Sequence, residues 1–168
     1  MLVCCAVYQG LTMKFIQYQL AQVNVGRLVA PIDDPRIAEC VDQLGPVNAL
    51  AERSPGFVWR LQSDSGNATD IVFNEDPQMM VNMSVWESVD ALREYVYRMG
   101  HLEVLRKRGQ WFESLGEPHA CLWWVPEGHR PTVAEARERL EKYRTLGSTR
   151  EAFWFPQVFG APEAALGL

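Results

Sequence analysis

The chain has 168 residues, 48% of them hydrophobic, which is enough to bury the core of one domain. Acidic residues outnumber basic ones by 21 to 16, and the formal net charge of −5 repels a phosphate backbone, so nucleic acid is excluded as an expected partner. The four cysteines, Cys4, Cys5, Cys40 and Cys121, form no CxxC pair and share no spacing with the three histidines, so no zinc site or redox dithiol is encoded and free thiols in the cytoplasm are expected.

Residues 1–12 contain an apolar run without a basic n-region, too short for a membrane span of about 20 residues. They read as an N-terminal extension of uncertain order, with Met13 competing with Met1 as the natural start. A single domain is expected over 13–155, followed by a tail over 156–168. Lys14 to Val25 alternates imperfectly in residues that favour strands. Asp34 followed by Pro35 supplies an N-cap oxygen and a first-turn proline, and Ile37, Val41 and Leu44 recur on one helical face. Gly45-Pro46 predicts a break or kink, with 47–53 as a separate helical segment, because proline lacks the amide hydrogen and its ring clashes with the preceding turn.

Turn chemistry at Ser54-Pro55-Gly56 precedes a predicted strand at 57–62 and a polar connection at 63–67. Its hairpin partner is 70–73, 79–86 or both in sequence, and the second run is the better strand. There the pleat places Asn82, Ser84 and Trp86 on one face. A helix from Ser88 or Asp90 weakens at Gly100 and resumes with His101, Leu105, Arg108 and Phe112 at offsets of four, three and four, a single stripe. Residues 120–125 form an apolar last strand. Pro131-Thr132 with Glu135 is a capping box that opens an amphipathic helix ended by Gly147. The aromatic run Phe153-Trp154-Phe155 is expected to dock on the body or on a partner subunit.

The order strand, helix, strand, strand, helix, strand, helix describes an α+β fold, a ferredoxin-like antiparallel sheet with helices on one face. Such a sheet leaves its other face bare, and pairing two protomers into a dimeric α+β barrel is the expected remedy.

The segments Pro46–Leu61 (PVNALAERSPGFVWRL), Val81–His101 (VNMSVWESVDALREYVYRMGH), Arg106–Phe112 (RKRGQWF) and Leu122–Leu140 (LWWVPEGHRPTVAEARERL) resemble the bacterial domain-of-unknown-function family 3291. That family is similar in architecture to the dimeric α+β barrel superfamily, which includes antibiotic-biosynthesis monooxygenases, haem-degrading enzymes, chlorite dismutases and muconolactone isomerases. The resemblance implies a homodimer and a small-molecule pocket, and leaves the chemistry open.

Among the candidate site residues, His101 is the helical imidazole suited to proton transfer near neutral pH. Its alternatives are a helix-capping role or haem axial ligation, for which one histidine suffices. Arg108 is the candidate grip for a carboxylate or enolate oxygen, against pairing with an acid one turn away. Arg60, in mid-strand, must reach water, a carboxylate or a ligand. Trp86 beside Asn82 and Ser84 offers an aromatic wall next to polar groups, with Asn48, Trp111 and Phe112 as further lining. No phosphate loop, nucleophile elbow, HExxH or paired carboxylates are present. These residues point to an enzyme acting by proton abstraction on a hydrophobic molecule, and the resemblance implies an aromatic or polyketide-like substrate and a cofactor-independent monooxygenase first. An isomerase, cyclase or dehydratase, or a metabolite- or haem-binding protein without turnover, is the alternative.

Overall fold

The computed structural model describes residues 16–98 and 107–163. The N-terminal extension, the choice between Met1 and Met13, Cys4, Cys5, and the segment carrying Gly100, His101 and Leu105 lie outside the described residues.

Strands β1 (Tyr18–Arg27), β2 (Phe57–Arg60), β3 (Met79–Trp86) and β4 (Ala120–Pro126) form one antiparallel sheet in the order β2-β3-β1-β4. Helices α1 (Ala38–Glu52), α2 (Val89–Arg98) and α3 (Val133–Leu146) complete the ferredoxin-like α+β fold, and residues 107–111 are also helical. Of the hairpin partners weighed for β2, the chain uses β3 alone, with residues 61–78 as an irregular connection.

Local chemistry explains the helix starts. The Asp34 carboxylate accepts from the Arg36 amide at 2.9 Å and caps a 3-10 turn, Pro35–Ile37, that runs into α1. Ser88 Oγ accepts from Ala91 N at 3.1 Å at the start of α2, and Thr132 Oγ1 accepts from Glu135 N at 3.1 Å at the start of α3. Two sequence expectations fail in α1. The helix passes through Gly45-Pro46 without a break, because Pro46 and Asp42, whose carbonyl loses its donor, both face solvent, where water can take the place of the missing bond. Val41, expected to face the core, is 37% exposed, and the helix instead buries Cys40 and Ala51.

The pleat divides the sheet into two faces. Ala21, Val23 and Val25 of β1 join Val81, Met83 and Val85 of β3 and Cys121, Trp123 and Val125 of β4 in one cluster with Ala136 and Leu140 of α3 and Phe73. This is the face that was expected to be bare. It is covered within the chain by α3 and by the connection between β2 and β3, whose Leu61, Ile71 and Phe73 pack into the same cluster. The opposite face carries Leu20, Trp86 and Leu122, packed with Leu92 of α2, Ala51 of α1 and Phe153.

The aromatic tail docks as its composition predicts. Phe153 exchanges backbone hydrogen bonds with Leu122 at 2.7 and 2.9 Å along the outer edge of β4. Trp124 Nε1 donates to the Phe159 carbonyl at 2.8 Å, so the packed region continues past residue 155.

Candidate functional site

On the face shared with α1 and α2, the alternating residues of β1 and β3 stand opposite one another in pairs: Leu20 with Trp86, Gln22 with Ser84, Asn24 with Asn82 and Gly26 with Met80. Buried polar side chains in the middle of a sheet must satisfy one another, and these do. Trp86 Nε1 donates to Ser84 Oγ at 2.8 Å. Gln22 Nε2 donates to Ser84 Oγ at 3.1 Å and to Asn82 Oδ1 at 2.8 Å. Asn24 Nδ2 donates to Gln22 Oε1 and Asn82 Oδ1, both at 3.3 Å. The strip runs from a buried end at Trp86, Ser84 and Gln22 to an accessible end at Asn24 and Asn82.

Trp86 closes the buried end. Its ring stacks on Tyr95 at 5.0 Å and meets the edge of Phe57 at 5.4 Å. Burial pushes the Tyr95 hydroxyl up to about 12, so it is a neutral phenol at physiological pH. A cleft of about 370 Å³ between the end of α1 and α2 reaches Tyr95 and is lined also by Arg53, Ala91 and Glu94. A larger groove of about 510 Å³ follows the outer surface of α3, on the other side of the sheet, and holds no group of the strip.

At the other end Gly26 continues the same face. A side chain there would meet the Phe112 ring at 2.6 Å and the Arg108 guanidinium at 3.4 Å, so glycine is what admits this segment onto the sheet. The segment is anchored by an ion pair between Lys107 and Glu39 of α1 and by the Arg27–Glu113 pair at 2.6 Å. Arg108 lies over the Phe112 ring at 5.5 Å, donates to the Val25 carbonyl at 3.2 Å and contacts His119 Nε2 at 3.0 Å. Burial lowers the Arg108 pKa, yet a guanidinium remains a cation and can only donate. His119 Nε2 is therefore the acceptor, and the ring is neutral with its proton on Nδ1. Burial, then the charges of Arg108 and Arg144, lower the pKa of His119 in agreement with that tautomer.

The structure thus brings together Asn82, Ser84, Trp86, Arg108 and Phe112 among the residues singled out by sequence. It places the others elsewhere. Arg60 stands opposite Ser84 but turns its guanidinium to Glu52 at 2.8 Å and to the Gly66 carbonyl at 2.9 Å. Trp111 is 3% exposed in a cluster with Leu28, Ala30, Ile37 and Cys40. Asn48 is half-buried on α1 and takes no part in the strip's hydrogen bonds. His101 lies outside the described residues. Three members were missed from sequence: Gln22, Asn24 and His119. The first two were legible as polar residues two apart in the middle of a strand rich in apolar residues. His119 had no such signal, because only the packing of residues 107–112 against β1 brings Arg108 to it.

Among the described residues no group of three or more His, Cys, Asp or Glu converges as a metal site. His129 contacts Glu135 at 2.8 Å, and that carboxylate also accepts from Trp123 Nε1 at 2.9 Å, an arrangement that ties the start of α3 to β4. Cys40 and Cys121 are free and buried, and burial pushes the Cys121 thiol up to about 12, which makes it an unreactive core group.

A ferredoxin-like α+β sheet with a polar strip let into one face defines the class. By its match over residues 19–166, the chain belongs to the domain-of-unknown-function family 3291. No curated protein matches it. Among solved structures it is similar to a protein of unknown function from Nitrosomonas europaea (12% identity, 69% of this chain and 95% of that one, TM-score 0.43). It is also similar to a variant of SnoaB, a cofactor-independent oxygenase from Streptomyces nogalater (20% identity, 68% and 95%, TM-score 0.41). A third is a Pseudomonas aeruginosa protein (12% identity, 71% and 100%, TM-score 0.42). At these identities and scores the likenesses concern the fold alone, and no activity is taken from them.

Proposed function

We propose that the protein is an enzyme acting by proton abstraction on a hydrophobic, aromatic or polyketide-like small molecule, with cofactor-independent oxidation as its first reaction. The observation that carries this reading is the direction of the hydrogen bonds in the strip. Asn82 Oδ1 accepts twice and Ser84 Oγ accepts twice, so their acceptor capacity is largely used within the network. What they have left to offer are donors, the two Asn82 Nδ2 hydrogens and the Ser84 hydroxyl hydrogen. Donors fixed in a partly dry site favour an oxygen that gains negative charge during reaction, and Arg108 adds positive potential at the end of the same row.

A phenol or activated enol meets those requirements. Its oxygen would lie on Asn82, at the accessible end of the strip, and deprotonation places a full charge on the oxygen held by the donors. The proton goes to His101 in the reading made from sequence. His119 is a poorer acceptor, since its free lone pair is engaged by Arg108. For an anthrone, the resulting carbanion reduces dioxygen, a carbon-bound hydroperoxide forms, and loss of water leaves the quinone, so that one dioxygen yields one new carbonyl and one water.

The test is oxygen uptake with anthrones and hydroxynaphthalenes. Asn82→Ala should lower kcat by roughly 100-fold, the usual effect of removing one oxyanion donor, and His101→Ala should abolish turnover while leaving the fold intact. Turnover unchanged in Asn82→Ala and Ser84→Ala would overturn the assignment of the strip. Turnover without oxygen uptake would assign an isomerase, cyclase or dehydratase, and tight binding without turnover a metabolite-binding protein. The proposed homodimer and cytoplasmic location rest on the superfamily resemblance and the free thiols, and light scattering at micromolar concentration tests the first. No helix among the described residues is long and apolar enough to cross a membrane.

A further inference from the structure

Resting on that reading, we infer that Arg108 and His119 form a carboxylate subsite, so that the substrate is an aromatic or polyketide-like acid whose carboxylate is distinct from the oxygen that reacts.

Arg108 is half-buried, and no carboxylate among the described residues pairs with it, although the other arginines close to it in the fold are matched: Arg27 with Asp76 and Glu113, and Arg144 with Glu117. Its partners are a backbone carbonyl, a neutral imidazole and a ring face, which orient the guanidinium without neutralising it. Two of the five N–H donors are used, and three remain. Among the described residues only Arg139 Nε is a buried polar side-chain atom without a partner, so the Arg108 Nε–H, which has none either, is within reach of solvent or ligand. A cation held in this way is completed by an anion, and the planar fork is suited to a carboxylate.

The register separates this group from the reacting oxygen. The guanidinium lies over Gly26, which pairs with Met80, whereas Asn82 pairs with Asn24 one step along the same face. Two residues along a strand span about 7 Å, too far for Asn82 and Arg108 to hold one oxygen in common without drawing the guanidinium off the Val25 carbonyl and His119. A single planar molecule bridges that distance, with a hydroxyl or enol at Asn82 and a carboxylate at Arg108. His119 is the positioning residue, because its Nε2 lone pair fixes the guanidinium while Nδ1–H stays available to the ligand or water.

The experiment is a titration of the wild-type protein with 2-naphthoate and, separately, with 2-naphthamide, following the imidazole resonances of His119 by NMR and affinity by calorimetry. Naphthoate should shift the His119 resonances and bind roughly ten- to a hundredfold more tightly than the amide, the range for one charge-assisted pair. That preference should collapse in Arg108→Gln and persist in part in Arg108→Lys. Equal affinity for acid and amide, a preference that survives in Arg108→Gln, or no movement of His119 with naphthoate up to millimolar concentration would each overturn the subsite. These readouts need no turnover, so a failed oxidation assay would leave the carboxylate subsite standing, and a failed acid preference would leave the proton-abstraction reading standing.

Discussion

His119 illustrates how one contact decides the chemistry of a residue. Protonation removes the Nε2 acceptor and sets an imidazolium 3.0 Å from Arg108, with Arg144 as a second cation nearby and Glu117 already paired to Arg144 at 2.9 Å. The folded-state pKa is therefore below the ordinary value of 6.5, and the unfolded chain binds the proton more readily. The contact's contribution to stability is complete above 6.5 and is lost as pH falls through the lower folded value. Urea denaturation at pH 7.5 and 5 should show a larger acid loss for the wild type than for His119→Asn; equal losses would mean that His119 is not coupled to Arg108. At the same scale, Gln22 is the residue on which the strip depends, since its amide connects Ser84, Asn82 and Asn24.

At the level of elements, α1 shows a local rule overridden. Proline in a helix interior costs about 3 kcal/mol relative to alanine, and the sequence pattern accordingly predicts two segments. Tertiary contacts keep one helix: Cys40 packs into the cluster around Leu28 and Ile37, and Ala51 into that around Trp86. Pro46→Ala should therefore stabilise the protein by about 2 kcal/mol, less than the full propensity difference because proline also restricts the unfolded chain. A thermal melt of the variant checks this, and a lowered midpoint would mean that Pro46 is required where it stands. Helix α3 is a contrary case, in which the Thr132 cap, the apolar face and the terminal glycine agreed with the outcome, although Glu135 turns its carboxylate to Trp123 and His129 rather than back to the Thr132 amide. Leu140, 1% exposed and packed on the sheet, should cost about 2–5 kcal/mol on truncation to alanine by denaturant titration.

For the whole molecule, the covering of both sheet faces changes the argument for association. The sequence reading assigned dimerisation to a bare apolar face, but α3 and the β2–β3 connection bury that face within the protomer. Any dimer then forms over surfaces other than this core, and the stability lost in Leu140→Ala should be independent of protein concentration. A destabilisation that shrinks as concentration rises would show that the Leu140 layer is instead completed between protomers.

Much of the fold was legible. Strand alternation in β1 and β3, the Asp34 and Thr132 caps and the Gly147 stop each express a period or a local hydrogen bond that neighbours in sequence determine among themselves. Half of the candidate site was legible for the same reason, since the pleat alone puts Asn82, Ser84 and Trp86 on one face. The remainder depended on partners distant in sequence. That Asn82 and Ser84 meet Gln22 and Asn24 follows from the β1–β3 register, that Arg60 is satisfied by Glu52 follows from where α1 ends, and that Arg108 meets His119 follows from the packing of residues 107–112 on Gly26. By itself the sequence determined most of the elements, the family and the polar character of one strand face, because those properties are local. Only the tertiary structure decided which polar groups satisfy one another and that, among the described residues, Arg108 meets His119 rather than a carboxylate, because hydrogen bonds and charge pairs between distant segments exist only once the chain has closed its sheet.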